Sequence, residues 1–567
     1  MSDLTATRPA ICLNMIVRNE THIIRETLDS VAPYISSWVI VDTGSDDGTQ
    51  DFIRDHMAWL GIPGDLHERP WRDFGHNRTE ALELAQGQGD FILVMDADDT
   101  IVGTPDFSEL DADVYLMKLV DHTIVHWRPQ LFRNGAPVRY VGVVHESPVW
   151  EDSCVIGFLR SDYHIESRRL GARNKDPAKY ERDRDLLLTE IERDPENSRW
   201  VFYLAQTYFD LGDFVNARKW YARRIELGGW DQETYFTMIK LAESMRHLGE
   251  PWPDVQDAYL RAWEFRPSRA EALHAIAFHC RVAQHYQLGY LFAERAARIP
   301  LPDDFLFVTA SVYAWCALDE QAVCAGWIGK HAEAFTLCRK LLARNDLPDS
   351  DRQRIAANRD SVVPAMLDAA STYPDPLATS LTVDPAHADV TVTLIAGPDC
   401  GATERALNSF LHCCNDITRA NRFLIIDTGL STPERAILQQ RYPFLEFTER
   451  RADTSLAHLR TLIHGRFWFH LRHNWQFFAP EDFITRLIAV LDAEPHVSQV
   501  AINLADATTL TGTSAPEHTV HRAPHAGRYV LTDAVANGPT MFDTNRIDHT
   551  NQLHTATLDE VLCVRAT

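Results

Sequence analysis

The stretch "DFILVMDADDT", residues 90–100, runs five apolar residues straight into the carboxylates of Asp96, Asp98 and Asp99. Such a run belongs in the middle of a sheet, while the charges that end it need solvent, a proton or a cation. Both demands are met where a buried strand opens into a cleft. Three readings follow: a metal-bound nucleotide sugar, a phosphoaspartate nucleophile, or a solvated loop. Strand geometry with period two puts Asp96 and Asp98 on one face, with Ala97 turned away. A pair of hard oxygen ligands so placed suits Mg²⁺ or Mn²⁺ bridging to a diphosphate.

The surroundings favour a cleft. From residue 8 to about 170, β-rich runs ("ICLNMIV", "WVIVD", "DFILVMD", "DVYLMKL") alternate with helically spaced segments ("ETHIIRETLDSV", "DGTQDFIRDHMAWL", "NRTEALELA"). That alternation predicts an α/β domain with a mainly parallel sheet, whose ligands lie at the carboxyl ends of the strands. "DTGSDDGT" and "DADDT" both fall there.

Composition narrows the function classes. At 567 residues the chain is too long for one core, and its formal charge of −25 argues against a nucleic-acid partner. The ten cysteines form no CxxC pair, the amino-terminal "MSDLTATRPA" lacks a signal-peptide pattern, and no run approaches a membrane span. A soluble, cytoplasmic protein is expected, with no transmembrane segment.

Residues 175–360 change character and carry Ala, Leu, Tyr and Arg at helical spacing. In "VFYLAQTYFDLGDFVNARKWYARRIEL", Leu204, Ala205, Tyr208, Gly212, Ala217 and Tyr221 sit where a tetratricopeptide-type helix pair needs small and large residues, and Pro267 and Pro300 are 33 residues apart. An ordinary helical bundle is the plainer alternative. A linker is expected over 361–388, which includes "TYPDPLATSLTVDPAHADV".

Beyond it the chain starts again. "VTLIAGPDCGATERALNSF" aligns with "LNMIVRNETHIIRETLDSV" at an offset of 379, and "RFLIIDTGLSTPERAIL" echoes "SWVIVDTGSDDGTQDFI" at 385. "RFWFHLRHNWQFF" then puts Arg472 and Asn474 where Asp96 and Asp98 stood. Residues 389–567 therefore read as a degenerate second copy of the first α/β domain, non-catalytic and left with packing, homodimer formation or acceptor capture as its role.

Several side chains could carry chemistry in the first copy. Asp42 ends a buried strand and can accept from a nucleobase imide or a ribose hydroxyl, Gly44 permits close backbone approach, and Ser45, Asp46 or Asp47 can cap a helix beginning near Thr49. Plain strand–turn–helix punctuation explains the same residues equally well. In "WRDFGHNRTEAL", Arg78 lies on the opening turn of a helix and can reach a phosphate, while Asn77 is a cap or a ligand contact. In "RYVGVVHESPVW", His145 can be a third metal ligand and Glu146 a general base, although a structural ion pair accounts for them too.

Taken in order, "LNMIVRNE", "VIVDTGSDDGT", "FGHNRTEAL", "FILVMDADD" and "YVGVVHE", followed by tetratricopeptide-like helices, resemble the family 2 inverting nucleotide-sugar glycosyltransferases of the GT-A fold. The resemblance is strongest to the branch with appended helical repeats that includes the glycocin peptide S-glycosyltransferases, and it covers residues 10–350. It implies a GT-A domain over 8–170, a nucleotide-sugar donor, a peptide, protein or glycan acceptor, and Mn²⁺ or Mg²⁺. By the same resemblance Asp42 contacts the donor base and Asp47 supports its pocket. Asp96 and Asp98 are the DxD motif holding metal, with His145 beside them. Asn77, Arg78, Arg128 and Arg133 serve the donor, and Glu146 is the base. Thr43 replaces the family's usual second Asp.

Two rivals remain. "FILVMDADDT" also fits the hhhhDxDxT nucleophile signature of haloacid-dehalogenase-type phosphatases, but here two strand–helix units precede it. A scaffold binding sugar or nucleotide without turnover, with a peptide groove in its repeats, is the non-enzymatic alternative.

Overall fold

Residues 8–121, 124–383, 389–450, 453–502, 519–532, 538–548, 554–558 and 562–565 are described by a computed structural model. The chain divides into two units, Met1–Glu320 and Gln321–Thr567. The first begins with strands and helices in strict alternation: β1 (Ile11–Val17), α1 (Ile24–Val31), β2 (Ser37–Asp42), α2 (Thr49–Leu60), β3 (Gly64–Glu68), α3 (Phe74–Leu84) and β4 (Phe91–Val94). These strands lie parallel in the order β3-β2-β1-β4. The pleat explains their continuous hydrophobicity. Ile11, Leu13, Met15 and Val17 bury one face with Ile24, Leu28, Ile53 and Met57, while Cys12, Val39, Ile92 and Val94 bury the other with Leu82 and Ala85.

The chain continues through β5 (Asp99–Gly103), β6 (Val114–Asp121), β7 (Ile124–Arg133), β8 (Val138–Val141), β9 (Ser147–Trp150), β10 (Ile156–Phe158) and β11 (Tyr163–Ser167), all but β8 and β9 extending the same sheet. Its order is β3-β2-β1-β4-β7-β6-β11-β5, with β7 antiparallel to both β4 and β6. β8 and β9 form a separate hairpin. β7 therefore returns toward the amino end of β4, and that direction decides which of its arginines can reach the cleft.

Seven helices follow in this unit: α4 (Lys179–Arg193), α5 (Ser198–Asp210), α6 (Phe214–Leu227), α7 (Asp231–His247), α8 (Trp252–Phe265), α9 (Glu271–Val282) and α10 (Tyr286–Ala297). As the spacing requires, Ala205, Ala217 and Tyr221 are fully buried between α5 and α6, and Gly212 turns the chain between them with a φ of 74°. Short β12 (Val308–Thr309) then pairs with the first residues of β7, Ile124 and Val125.

The second unit takes in most of α11 (Ala317–Trp327), then α12 (His331–Leu342), α13 (Asp349–Ala370) and α14 (Asp375–Ser380). The expected linker over 361–388 is thus corrected: 361–370 complete α13 and 375–380 form α14, while 384–388 lie outside the described residues. The Pro/Thr/Ser composition misled because Pro374 sits just ahead of a helix and Pro376 in its first turn, where a missing N–H costs nothing. The expected repeat boundary at 360 shifts too, since α12 and α13 belong to this unit.

An α/β layer follows: β13 (Val390–Ala396), α15 (Cys400–Cys413), β14 (Arg422–Asp427), α16 (Thr432–Arg441), β15 (Leu445–Phe447), α17 (Leu456–Arg460), β16 (Phe467–Arg472), β17 (Trp475–Phe477), α18 (Phe483–Ala493), β18 (Gln499–Ala501), β19 (Val520–Ala523), β20 (Gly527–Thr532), β21 (Thr540–Asp543), α19 (Thr544–Ile547), β22 (Thr555–Leu558) and β23 (Cys563–Arg565). Its main sheet runs β15-β14-β13-β16-β21-β18-β22-β20-β19, with the first four strands parallel and β21 antiparallel. The register repeats that of the first sheet. Val17 faces Asp42 and Ala396 faces Asp427, while Leu13 faces Leu93 and Val392 faces Phe469. Among the described residues no helix is long and apolar enough to cross a membrane.

Candidate active site

The carboxyl ends of β1, β2 and β4 open on one edge of the first sheet. At the end of β2 the Asp42 side chain is 1% exposed. Its Oδ1 accepts from the Gly44 and Ser45 N–H groups, both at 2.9 Å, and from Gln50 Nε2 at 3.0 Å. Gly44 makes this turn possible with a φ of 106°. Oδ2 is buried and has no hydrogen-bond partner, so one strong acceptor is left over at the strand end.

The acidic stretch after β4 leaves the strand earlier than its sequence suggests. β4 ends at Val94, and residues 96–99 form a turn closed by Asp99 N donating to Asp96 O at 3.2 Å. The expectation that Asp96 and Asp98 share a strand face is corrected accordingly, and they point to different partners. Asp96 takes guanidinium groups on both oxygens: Arg78 Nη2 on Oδ1, and Arg128 Nη2 at 3.6 Å from Oδ2. Burial pushes the Asp96 carboxyl up, but Arg78 and then Arg128 outweigh it and hold it at about 2. Arg78 also donates from Nε to Glu146 Oε1 at 2.7 Å. One guanidinium, only 7% exposed, thus ties the acidic turn to the "HE" loop.

Asp98 turns toward the chain that leaves the sheet. Its Oδ2 accepts from Gly171 N at 2.8 Å, beside Glu20, whose carboxylate accepts from Ala172 N at 3.2 Å. Burial, and further down Asp98 itself, push Glu20 up to about 7, although the Ala172 N–H pulls the other way. Two carboxylates thus meet over backbone N–H donors. That donor set fits a hard divalent cation of the kind that takes one or two carboxylates and completes its shell with substrate phosphates. Among the described residues no three or more His, Cys, Asp and Glu side chains cluster as a metal cage.

Sequence reasoning assigned no role to Asp99 or Glu20, although both stand in the quoted motifs. Asp99 is 0% exposed, and burial followed by the Asp96 charge raises its pKa well above the ordinary 3.8, although the Ser167 hydroxyl pulls the other way.

Three other assignments move. Arg133 lies outside the site. It donates to Asp113 Oδ1 and Ala112 O, both at 3.0 Å, and pairs in register with Phe91 at the start of β4. Being five residues farther along an antiparallel strand puts it about 17 Å from the end that Arg128 reaches. Asn77 is neither cap nor ligand contact, because Asp73 caps α3 by accepting from His76 N at 2.8 Å. Fully buried Asn77 instead fastens the preceding loop, accepting from Arg72 N and donating to Pro70 O. Arg78 is the fifth residue of α3 and not on its opening turn. Asp47 is exposed and ties Thr21 to Thr49 by four hydrogen bonds, which supports the Asp42 turn from outside.

His145 is not with the carboxylates. Its ring lies flat on Tyr203 of α5, with centroids 4.1 Å apart and planes 3° from parallel. Period-two reasoning could not see this, because His145 has a φ of 51°, which swings its side chain out of strand alternation.

With this geometry in view, residues 12–104 match the family model described as Glycosyl transferase family 2. Residues 12–104 of the amino-terminal α/β layer are a family 2 glycosyl transferase domain. The chain is 24% identical over 212 residues to the SPbeta prophage-derived glycosyltransferase SunS of Bacillus subtilis, covering 35% of this chain and 49% of that one. It is 26% identical over 248 residues to a TPR repeat-containing protein of Synechococcus elongatus, covering 40% and 59%. The chain therefore spans about half the length of these curated relatives. A crystal structure of S. aureus TarS residues 1–349 with UDP-GlcNAc is 15% identical and covers 45% of this chain and 90% of that one, at a TM-score of 0.25. The family 2 domain is followed by tetratricopeptide-like helices α4–α10.

Proposed function

We propose that the first unit is an inverting glycosyltransferase that moves a sugar from a nucleotide-sugar donor to a peptide, protein or glycan acceptor. The observation that carries this reading is the Arg78 bridge from Asp96 to Glu146, which joins the DxD turn and the "HE" loop beside a further charged group, Arg128. The unsatisfied Asp42 Oδ2 is where a base N–H or ribose hydroxyl of the donor would donate. Inversion requires one displacement at the anomeric carbon: Glu146 takes the acceptor's proton, the acceptor attacks, and the nucleoside diphosphate leaves from the opposite side. Arg78 and Arg128 stabilise charge that develops on the departing phosphates. Asp98, with Glu20 beside it in place of the guanidinium-paired Asp96, would hold Mn²⁺ or Mg²⁺, which would supply further neutralisation of that diphosphate. His145 has no place in this set. Asp98→Ala is expected to lower metal-supported donor turnover by at least 100-fold, measured as nucleoside diphosphate release. Retention of near wild-type turnover with metal present would remove Asp98 from this role.

The same reading treats residues 389–567 of the second unit as a copy that no longer turns over donor. Asp427 repeats the Asp42 turn, accepting from Gly429 and Leu430 N–H groups at 3.0 Å, but Arg435 lies 3.6 Å from its Oδ2. The acceptor left open on Asp42 is covered there, and the exposed cation Arg472, the last residue of β16, takes the aligned place of Asp96. Packing, dimerisation or acceptor capture are its remaining roles.

A further inference from the structure

We infer that Tyr203 and Arg199, on α5 of the helical repeats, are positioning residues for Glu146, so that the repeats complete the active site instead of merely accompanying it. The inference rests on the reading of Glu146 as the base.

The "GVVHE" loop that carries Glu146 is held from two sides. On the sheet side, the first N–H groups of α3 donate into it: Gly75 N to Gly142 O at 3.0 Å and Phe74 N to Val143 O at 3.4 Å. Gly75 is needed for this approach, since a Cβ there would lie 2.8 Å from Gly142 O. On the repeat side, Val144 is buried with Leu187, Ile191, Val201 and Leu204 of α4 and α5. Between these anchors, His145 takes a left-handed conformation, uncommon for any non-glycine residue although less so for His than for most.

Something must hold that torsion, and the contacts that do so come from α5. Tyr203 stacks on the His145 ring, and Arg199 Nη2 donates to His145 O at 3.0 Å and to Tyr203 Oη at 3.3 Å. The Arg199 guanidinium also lies over the Tyr203 ring at 4.9 Å. If His145 relaxed to negative φ, the following residue would leave its direction and Glu146 would lose Arg78. The side chains that fix α5 itself, Val201, Phe202, Leu204 and Ala205, are separate and fully buried, so Tyr203 and Arg199 can be changed without dismantling the helix.

The test uses the full chain with Tyr203→Leu, Arg199→Ala and Tyr203→Phe. Amide hydrogen exchange is followed across residues 141–147 and 198–210, together with release of UDP from UDP-glucose and UDP-N-acetylglucosamine. The expected result is exchange at least tenfold faster over 145–147 in Tyr203→Leu and Arg199→Ala, with α5 still protected. Tyr203→Phe, which keeps the ring, restores wild-type exchange. With a UDP-sugar that is turned over, kcat falls at least tenfold and the donor KM stays within twofold. Wild-type exchange over 145–147 in both variants, or a loss of protection spread over all of α5, would overturn the inference. Wild-type turnover by Glu146→Gln would instead defeat the base assignment, and it is distinguishable because the loop exchange would still respond to Tyr203.

Discussion

Glu146→Gln is expected to lower turnover by about 10²–10⁴-fold, the range a positioned general base supplies. The substitution keeps an oxygen to accept from Arg78 Nε, a bond of 2.7 Å, so the loop stays in place while the proton acceptor is lost. Stability should fall by only about 1 kcal/mol, the difference between a charge-assisted and a neutral hydrogen bond. The pair of readouts matters: a large loss in kcat with a melting temperature lowered by no more than about 2–4 °C assigns chemistry to Glu146, whereas a larger thermal loss in parallel would make it a structural residue. Wild-type kcat would remove it from the reaction.

Arg78→Met carries the second large effect, on stability as well as on turnover. Arg78 is 7% exposed and pairs with both Asp96 and Glu146. Removing the cation leaves two carboxylates facing each other with Arg128 as the nearest compensation. Stripping one partner from a buried charge pair costs about 3–5 kcal/mol. For a unit this size each kcal/mol moves the melting temperature by about 2–4 °C, so a fall of roughly 6 °C or more is expected by calorimetry. The pH dependence has a definite sign. Asp96 is held at about 2 in the fold, below its ordinary 3.8, so it adds stability above about pH 4 that is lost as pH falls toward 2. The variant should lose that acid-side dependence. A melting temperature within 1–2 °C of wild type at pH 7 would show that the bridge does not hold the site together.

The architecture was legible where period and sequence length speak together. The strand–helix alternation of residues 8–94 forms a parallel sheet because each strand is apolar on both faces, and the two faces fill separate clusters with Leu28 on one side and Leu82 on the other. The internal echo was legible to the residue: the offsets of 379 and 385 are the ones that put Ala396 opposite Asp427 as Val17 is opposite Asp42. The site was legible as a set of motifs and illegible as a geometry. Period-two reasoning failed for Asp96 and Asp98 because β4 ends at Val94 and a turn separates the two. Arg133 looked equivalent to Arg128 in sequence, and only the antiparallel course of β7 separates them. His145 could not be placed from sequence, since its stacking partner Tyr203 lies 58 residues away in another layer. The 361–370 stretch was misjudged because Pro364 is tolerated inside α13.

The most direct measurement of the central claim is a calorimetric titration of the full chain with nucleoside diphosphates, with and without Mn²⁺, on wild type and Asp98→Asn. The account predicts that one diphosphate raises the melting temperature by several degrees at saturating concentration only when Mn²⁺ is present, and that Asp98→Asn abolishes the rise. No diphosphate raising the melting temperature under either condition, or an equal rise in Asp98→Asn, would contradict it.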